Sequence, residues 1–245
     1  MLVGGSPGDH RIWVDLESTL ATDYHVRLFD PLDHGLAPDD TDATLADLEA
    51  DLLSAVESEG DVVLVGFSLG AYLAARVASR SRAVTGVVLL AGFVAASEDS
   101  VAHRVELADK LERGDASSEI LAALAVNMWL PQDEREQRSV EVIGGMLADV
   151  ERARAVRGLR RMAALAEPAC AVTGFDAPGF IAHSERDTAV PLEQGRALAK
   201  LAPAAKLVVL DSGSHVIPLS HTAHVLGWIR TASARRAAQP ESASS

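Results

Sequence analysis

The sequence predicts an α/β protein in which a mostly parallel β-sheet carries helices on both faces. Short apolar segments typical of buried strands alternate with longer segments of helical periodicity, and this alternation favours parallel strands joined by helical crossovers. The fourth and fifth strand candidates lie about ninety residues apart, more than one crossover helix needs, which predicts an insertion. The strand candidates are residues 1–3, 25–29, 62–65, 84–90, 180–183 and 206–210. The main helical candidates between them are residues 44–57, 71–79, 192–201 and 223–229.

Composition limits the class of protein. A length of 245 residues suits one large α/β domain with an insertion, and a hydrophobic fraction of 48% provides a sizeable core. The formal net charge of −13 argues against nucleic acid or an anionic membrane as the main partner. No apolar run is long enough to span a bilayer, and the N-terminus lacks a signal-peptide pattern. Because Cys170 is the single cysteine, no internal disulfide can form, and we expect a cytoplasmic location.

The segment around Ser68 is the most informative motif. An apolar, β-branched run over residues 62–65 leads into Gly66-Phe67-Ser68-Leu69-Gly70, and a small-residue helical pattern follows directly. A strand that turns sharply into a helix needs small residues on both sides of the turn residue, which Gly66 and Gly70 supply. The turn would lift the Ser68 hydroxyl above the sheet, next to the N–H groups of a helix N-terminus. This pattern predicts a nucleophilic serine.

A nucleophilic serine needs a base and an acid that orients the base, and both follow in the chain. Asp187 comes just after the strand candidate at 180–183, where α/β sheets place their chemistry. His215 lies in a turn just after the strand candidate at 206–210. The order Ser, Asp, His along the chain is the one expected when the nucleophilic serine lies at a strand-to-helix turn. Glu98 and Asp99, which follow the strand candidate at 84–90, are the rival acids.

These motifs together resemble the α/β-hydrolase-fold enzymes, in particular the small capped bacterial esterases and enol-lactone hydrolases. The Gly-Phe-Ser-Leu-Gly elbow, the Arg-Asp-Thr-Ala-Val-Pro acid loop and the Ser-Gly-Ser-His turn occur in the family's order over residues 1–231. Residues 29–37 resemble the family's Asp-x-x-Gly-x-Gly-x-Ser loop, and residues 5–8 resemble its oxyanion loop. The resemblance implies that the backbone N–H groups of Ser6 and Leu69 bind the oxyanion.

The chain departs from the family pattern in two places. Gly4 stands where the family often has His, which removes a side chain but leaves the backbone N–H donors. The family's first two strands have no counterpart before Met1, so the fold is expected to be N-terminally short. A shortened sheet edge, a start codon assigned too late or a truncated chain would each explain this difference.

The long segment between the fourth and fifth strands carries four further helical patterns, and the family inserts a helical cap at this point. We therefore divide the chain into a core (residues 1–93 and 166–231), a cap (94–165) and a disordered tail (232–245). Four cap or cap-adjacent side chains either line a substrate pocket or serve ordinary helix packing: Phe93, Met128, Trp129 and Met146.

The last cap helix also carries a basic face. Arg154, Arg157 and Arg161 share one side at helical spacing. Two interpretations are open: a solvated face, which the pattern favours, or a grip on an anionic substrate or an acidic carrier protein.

The sequence predicts a serine hydrolase that acts on a small carboxylic ester or lactone, with no cofactor and no metal. The histidines at 215, 221 and 224 lack the spacing and the carboxylates of a metal site. Two alternatives stay open: carbon–carbon bond hydrolysis or a lyase step with the same triad, or a non-catalytic binding protein on this fold.

Overall fold

Six parallel strands form one sheet in the part of the chain that the structure describes, in the order β2-β1-β3-β4-β5-β6. The structure is a computed structural model and describes residues 1–117, 125–126, 129–130, 137–167, 170–213 and 215–237. The strands are β1 (Leu2–Val3), β2 (Leu28–Phe29), β3 (Val62–Phe67), β4 (Val84–Leu90), β5 (Gly179–Ser184) and β6 (Ala205–Leu210). The parallel sheet predicted from the alternating pattern is confirmed, although the second strand forms only at the end of its predicted range.

Helices cover both faces of the sheet because the strands alternate apolar side chains between the faces. Leu64 of β3 joins one hydrophobic cluster, and Val65 joins the other. The first cluster packs α2 (Leu45–Glu59), α3 (Leu69–Ala78) and α7 (Leu192–Leu201) against the sheet. On the opposite face lie α1 (Val14–Leu20), which a 3₁₀ turn precedes, α8 (Ile217–Ser220) and α9 (Thr222–Ala237).

The insertion contains α4 (Glu98–Arg113), α5 (Gln137–Ala148) and α6 (Arg152–Ala163). Ser97 caps the start of α4 by accepting a hydrogen bond from the Ser100 N–H, and Gly114 ends the helix with a left-handed φ of 79°. α4 packs along α6 through a small cluster that includes Ala108, Leu111 and Ala155. This pair of helices therefore has its own apolar contact, separate from the sheet.

The last helix corrects one expectation. α9 continues to Ala237, so the first part of the segment expected to be a disordered tail is helical. The physical reason is that alanine has a high helix propensity and that Ala232 is fully buried. A Cβ atom on Gly86 of β4 would lie 3.5 Å from the Ala232 Cβ, so this turn of the helix packs directly on the sheet.

Among the described residues, none of the helices has the length and hydropathy to cross a membrane.

Candidate active site

Ser68 lies in the strand–turn–helix geometry that its motif predicts. It joins β3 to α3 with φ 53° and ψ −115°, a strained conformation for a residue with a side chain. A Cβ on Gly66 would lie 2.3 Å from the Gly70 carbonyl oxygen, and one on Gly70 would lie 2.3 Å from the Val3 carbonyl oxygen. Both glycines are therefore required for backbone approach, and they let the Ser68 side chain project at the carboxyl end of the sheet.

Ser68, His215 and Asp187 form one hydrogen-bonded series. The His215 Nε2 atom lies 3.1 Å from the Ser68 hydroxyl oxygen, and its Nδ1 atom lies 2.9 Å from Asp187 Oδ2. A carboxylate only accepts hydrogen bonds, so His215 carries its proton on Nδ1 and leaves Nε2 free to accept from the serine. The series is secluded from solvent, since Ser68 is 5% exposed and His215 is 2% exposed. This arrangement can deprotonate a serine during nucleophilic attack.

The loop after β5 fixes the Asp187 carboxylate. Its Oδ1 atom accepts hydrogen bonds from the Ala189 N–H at 2.9 Å and the Val190 N–H at 2.8 Å. Burial alone would raise the pKa of Asp187, but the charge and hydrogen bond of His215 and the Val190 N–H outweigh burial and hold that pKa below its usual value. Asp187 therefore stays ionised. Glu98 and Asp99, the rival acids, lie exposed in the first turn of α4.

A second histidine lies against the same acid. His183 of β5 is fully buried, and its Nε2 atom donates a hydrogen bond to the Val190 carbonyl oxygen at 2.8 Å. The same nitrogen lies 3.5 Å from Asp187 Oδ2. Burial lowers the pKa of His183, so the ring is neutral. The structure thus shows that His183 supports the acid loop, a contact that no motif in the sequence indicates.

The expected oxyanion residues lie at the carboxyl ends of two adjacent strands. Leu69 is the first residue of α3, and Ser6 lies in the loop that follows β1, the neighbour of β3. The loop is closely packed, since a Cβ on Gly5 would lie 3.0 Å from the Phe67 ring. A Cβ on Gly4 would lie 3.2 Å from the backbone of Asp9. The loop therefore has little room for the histidine that the family often carries at that position.

The pocket candidates lie in different surroundings. The Trp129 ring lies 5.4 Å from the His215 ring between centroids, and the Phe67 ring approaches the same histidine at 4.9 Å. Met146 packs on the loop after β1, where its sulfur accepts a hydrogen bond from the Asp9 N–H at 3.3 Å. Trp129 is both buried, at 6% exposure, and in contact with the site.

Phe93 is not placed beside His215. Phe93 stacks on Tyr72 with a centroid distance of 5.4 Å and belongs to the hydrophobic cluster on the other face of the sheet. Met128 lies outside the described residues.

The basic face of α6 corrects another expectation, because it is neither solvated nor free. Asp33, in the loop after β2, has a fully buried side chain and accepts hydrogen bonds from Arg157 Nε at 2.7 Å and Arg161 Nη2 at 2.8 Å. Arg154 pairs with Asp39 of the same loop at 2.6 Å. Burial would raise the pKa of Asp33, but the hydrogen bonds and charges of the two arginines hold it below its usual value. The basic face therefore joins α6 to the loop after β2.

Two cavities lie outside the series of Ser68, His215 and Asp187. The larger, of about 720 Å³, lies near the amino ends of β1 and β3, with Met1, Leu2 and Val63 among its lining residues. The smaller, of about 520 Å³, lies between the Asp33 loop and the start of α6. Neither is lined by Ser68 or His215, which agrees with the low exposure of both residues.

Comparison with known proteins identifies the same fold. A model of the alpha/beta hydrolase family matches residues 1–226. The comparison with curated proteins finds no match. Among solved structures, a thermophilic esterase from Thermogutta terrifontis has a TM-score of 0.80 and 21% identity, over 96% of this chain and 89% of that one. An enol-lactonase from Burkholderia xenovorans LB400 has a TM-score of 0.75 and 20% identity, over 97% and 91%. A bromoperoxidase from Bacillus anthracis has a TM-score of 0.78 and 18% identity, over 95% and 90%. At these identities the similarity establishes the fold, and the named activities are those of the other proteins.

Proposed function

Because this chain belongs to the alpha/beta hydrolase family, we propose that it is a serine hydrolase that cleaves a small carboxylic ester or lactone. The observation that carries the proposal is the series from Ser68 through His215 to Asp187, with distances of 3.1 and 2.9 Å. The strained Ser68 backbone supports it, since strain of this kind persists where the surrounding structure enforces it and is common at catalytic sites. Two esterases and an enol-lactonase among the solved structures support the substrate class.

In the proposed reaction, the Ser68 oxygen attacks the acyl carbon while His215 Nε2 takes the hydroxyl proton. The N–H groups of Ser6 and Leu69 stabilise the tetrahedral oxyanion, and each such donor lowers the barrier by about 3–4 kcal/mol. The carbon–oxygen bond to the leaving group then breaks, and His215 gives the proton to the departing alcohol. Water attacks the resulting acyl-enzyme by the same path, which releases the acid and restores Ser68. Asp187 holds the His215 ring in the required tautomer throughout.

An apolar surrounding supports an acyl group of modest size. Trp129 and Phe67 flank the His215 ring, and Met146 belongs to the same hydrophobic cluster. Arg154, Arg157 and Arg161 of α6 are already paired with Asp33 or Asp39, so we do not assign them to the substrate. We also propose that the protein works in the cytoplasm, on the basis of its single, unbridged cysteine.

A fluorophosphonate probe tests the nucleophile. We expect the probe to label the wild type and not Ser68→Ala, because only an activated serine reacts with it. Ser54→Ala removes an exposed serine of α2 and serves as the matched control, which should label normally. Absence of labelling in a folded wild type would favour a non-catalytic binding protein.

A series of p-nitrophenyl esters of increasing acyl length then tests the reaction. Turnover of short esters supports ester hydrolysis. Labelling without turnover of any ester would favour carbon–carbon bond hydrolysis or a lyase step with the same triad.

A further inference from the structure

His183 of β5 is a buried histidine that lies beside the proposed acid but outside the series of Ser68, His215 and Asp187. Its side chain is fully buried, and its Nε2 atom lies 2.8 Å from the Val190 carbonyl oxygen and 3.5 Å from Asp187 Oδ2. Both of these oxygens only accept hydrogen bonds, so the ring carries its proton on Nε2. The ring therefore donates its one N–H to the acid loop and is not free for other chemistry.

Val190 connects His183 to the proposed acid. Its carbonyl oxygen accepts from His183, and its N–H donates to Asp187 Oδ1 at 2.8 Å. The other oxygen of that carboxylate, Oδ2, accepts from His215 Nδ1 at 2.9 Å. A shift of the Val190 backbone would consequently move the carboxylate that orients the proposed base. Buried hydrogen bonds of this kind fix geometry strongly, because water does not compete for their donors and acceptors.

Gly195 of α7 sets the position of the ring on its opposite edge. A Cβ atom there would lie 2.6 Å from His183 Nδ1 and 2.9 Å from its Cγ, so glycine is required for this approach. Nδ1 is buried and has no hydrogen-bond partner among the described residues. Burial lowers the pKa of His183, and the ring stays neutral. A neutral ring leaves the negative charge of Asp187 available to His215.

We infer that His183 is a positioning residue of the proposed hydrolase reaction, which acts through Val190 to hold the Asp187 carboxylate where it orients His215. The inference rests on the proposed function and adds a residue that acts through the acid and not on the substrate. A packing role would need only a side chain of suitable volume at position 183. The inferred role needs an N–H donor there, so the two roles predict different results for variants of equal size.

Two variants of similar length and volume, His183→Gln and His183→Met, separate these roles. Only glutamine has an N–H donor that can reach the Val190 carbonyl oxygen. On p-nitrophenyl acetate we expect kcat to fall about tenfold in His183→Met with little change in KM, the effect of one lost hydrogen bond on orientation. In His183→Gln, kcat should stay within about threefold of the wild type. Equal kcat in the two variants would overturn the inference.

A double-mutant cycle tests whether the effect passes through the acid. Asp187→Asn already removes the carboxylate, so the addition of His183→Met should lower the residual kcat by less than about twofold. A further loss of about tenfold in the double variant would show that His183 acts by another route, which contradicts the inference.

Gly195→Ala moves the ring without removing it, and it serves as the test if a His183 variant does not fold. Alanine suits the interior of a helix, but its Cβ would crowd the His183 ring and shift it relative to Val190. The matched control is Gly227→Ala, at an exposed position of α9 where an added Cβ has no atom within 4 Å. We expect kcat to fall in Gly195→Ala and to be unchanged in Gly227→Ala. Unchanged kcat in both variants would count against the inference.

Proton NMR gives a readout that does not depend on turnover. A His215 Nδ1–H bonded to a buried carboxylate should give a far-downfield resonance, which ¹⁵N-histidine labelling and its loss in His215→Gln would assign. We expect this resonance to be kept in His183→Gln and to be shifted or broadened in His183→Met and Gly195→Ala. The same resonance in all three variants would overturn the inference. Failure of fluorophosphonate labelling, in contrast, would overturn the hydrolase proposal and leave this measurement intact.

Discussion

Asp33→Asn should destabilise this protein far more than a typical change of one acid to its amide. The Asp33 side chain is fully buried and receives Arg157 and Arg161, whose side chains are 21% and 8% exposed. Removing one partner of a buried ion pair typically costs about 3–5 kcal/mol, because the remaining charge stays buried without compensation. Asparagine has nearly the same shape and also tolerates the left-handed φ of 65° found at this position. The substitution therefore changes the charge and leaves the backbone preference and the packing nearly unchanged.

The magnitude follows from comparison with a neighbouring pair in the same loop. Asp39 also pairs with an α6 arginine, Arg154, but its side chain is 59% exposed. Exposed pairs of this kind contribute about 0–1 kcal/mol. We expect a loss of about 3 kcal/mol for Asp33→Asn and less than about 1 kcal/mol for Asp39→Asn, by the same principles.

Urea unfolding at pH 7, followed by far-UV circular dichroism, measures both variants. With an m-value of about 3 kcal/mol/M, the midpoint of Asp33→Asn should fall by about 1 M while the slope stays unchanged. Equal and small shifts in the two variants would refute the reasoning, since they would show that the buried arginines find other compensation.

The pH dependence of folding stability provides a second test of the Asp33 ion pairs. The pKa of Asp33 is lower in the folded protein than in the unfolded chain, so its contribution to stability is present above the unfolded pKa of about 3.9. That contribution is lost as the pH falls through the folded pKa. The stability of the wild type should therefore decline below about pH 4 more steeply than that of Asp33→Asn. A parallel decline in both proteins would contradict the assignment.

Three further substitutions probe the site. Asp187→Asn should lower kcat by about 10³–10⁴-fold with little change in KM, because His215, the proposed base, loses its orientation; normal kcat would reassign the acid. Trp129→Ala should change KM and chain-length preference more than the rate on an acetate ester; lost stability with unaltered selectivity would make Trp129 core only. Gly158→Ala should lower kcat, because its Cβ would crowd Ser6 at 3.2 Å. Its control, Gly145→Ala, has no atom within 4 Å of its new Cβ and should gain about 0.5–1 kcal/mol of stability with unaltered kcat; equal kcat in both glycine variants would contradict the contact.

Local patterns in the sequence predict the sheet and the position of the serine. Strand β4 (Val84–Leu90) is a continuous apolar run, and buried parallel strands have this pattern. The sharp turn at Ser68 depends on Gly66 and Gly70, which lie within two positions of the serine in the sequence. The local sequence is therefore enough to predict the geometry of the turn. The proximity of Asp187 and His215 could be predicted because both follow neighbouring strands of a parallel sheet, whose carboxyl ends meet at one edge.

Charged contacts across long sequence distances were not predictable in this way. Arg157 and Asp33 are 124 residues apart in the sequence. Helical periodicity predicts that the arginines share one face of the helix, but it does not predict which residues cover that face. The same limit explains the last helix, because the alanines near position 232 read as a low-complexity tail until the sheet that buries Ala232 is known. Hydrophobic patterns identify buried apolar side chains, whereas a buried arginine in the sequence is indistinguishable from an exposed one.

The Asp33 cluster links stability to the proposed oxyanion loop. Arg157 and Arg161 hold α6 on the core through Asp33, and Gly158 lies on the same helix against Ser6. Loosening that cluster should therefore shift Gly158 relative to Ser6, whose N–H is a proposed oxyanion donor, as well as lower stability. For this reason kcat should fall in Asp33→Asn at temperatures where the variant is still folded, even though Asp33 lies outside the series of Ser68, His215 and Asp187.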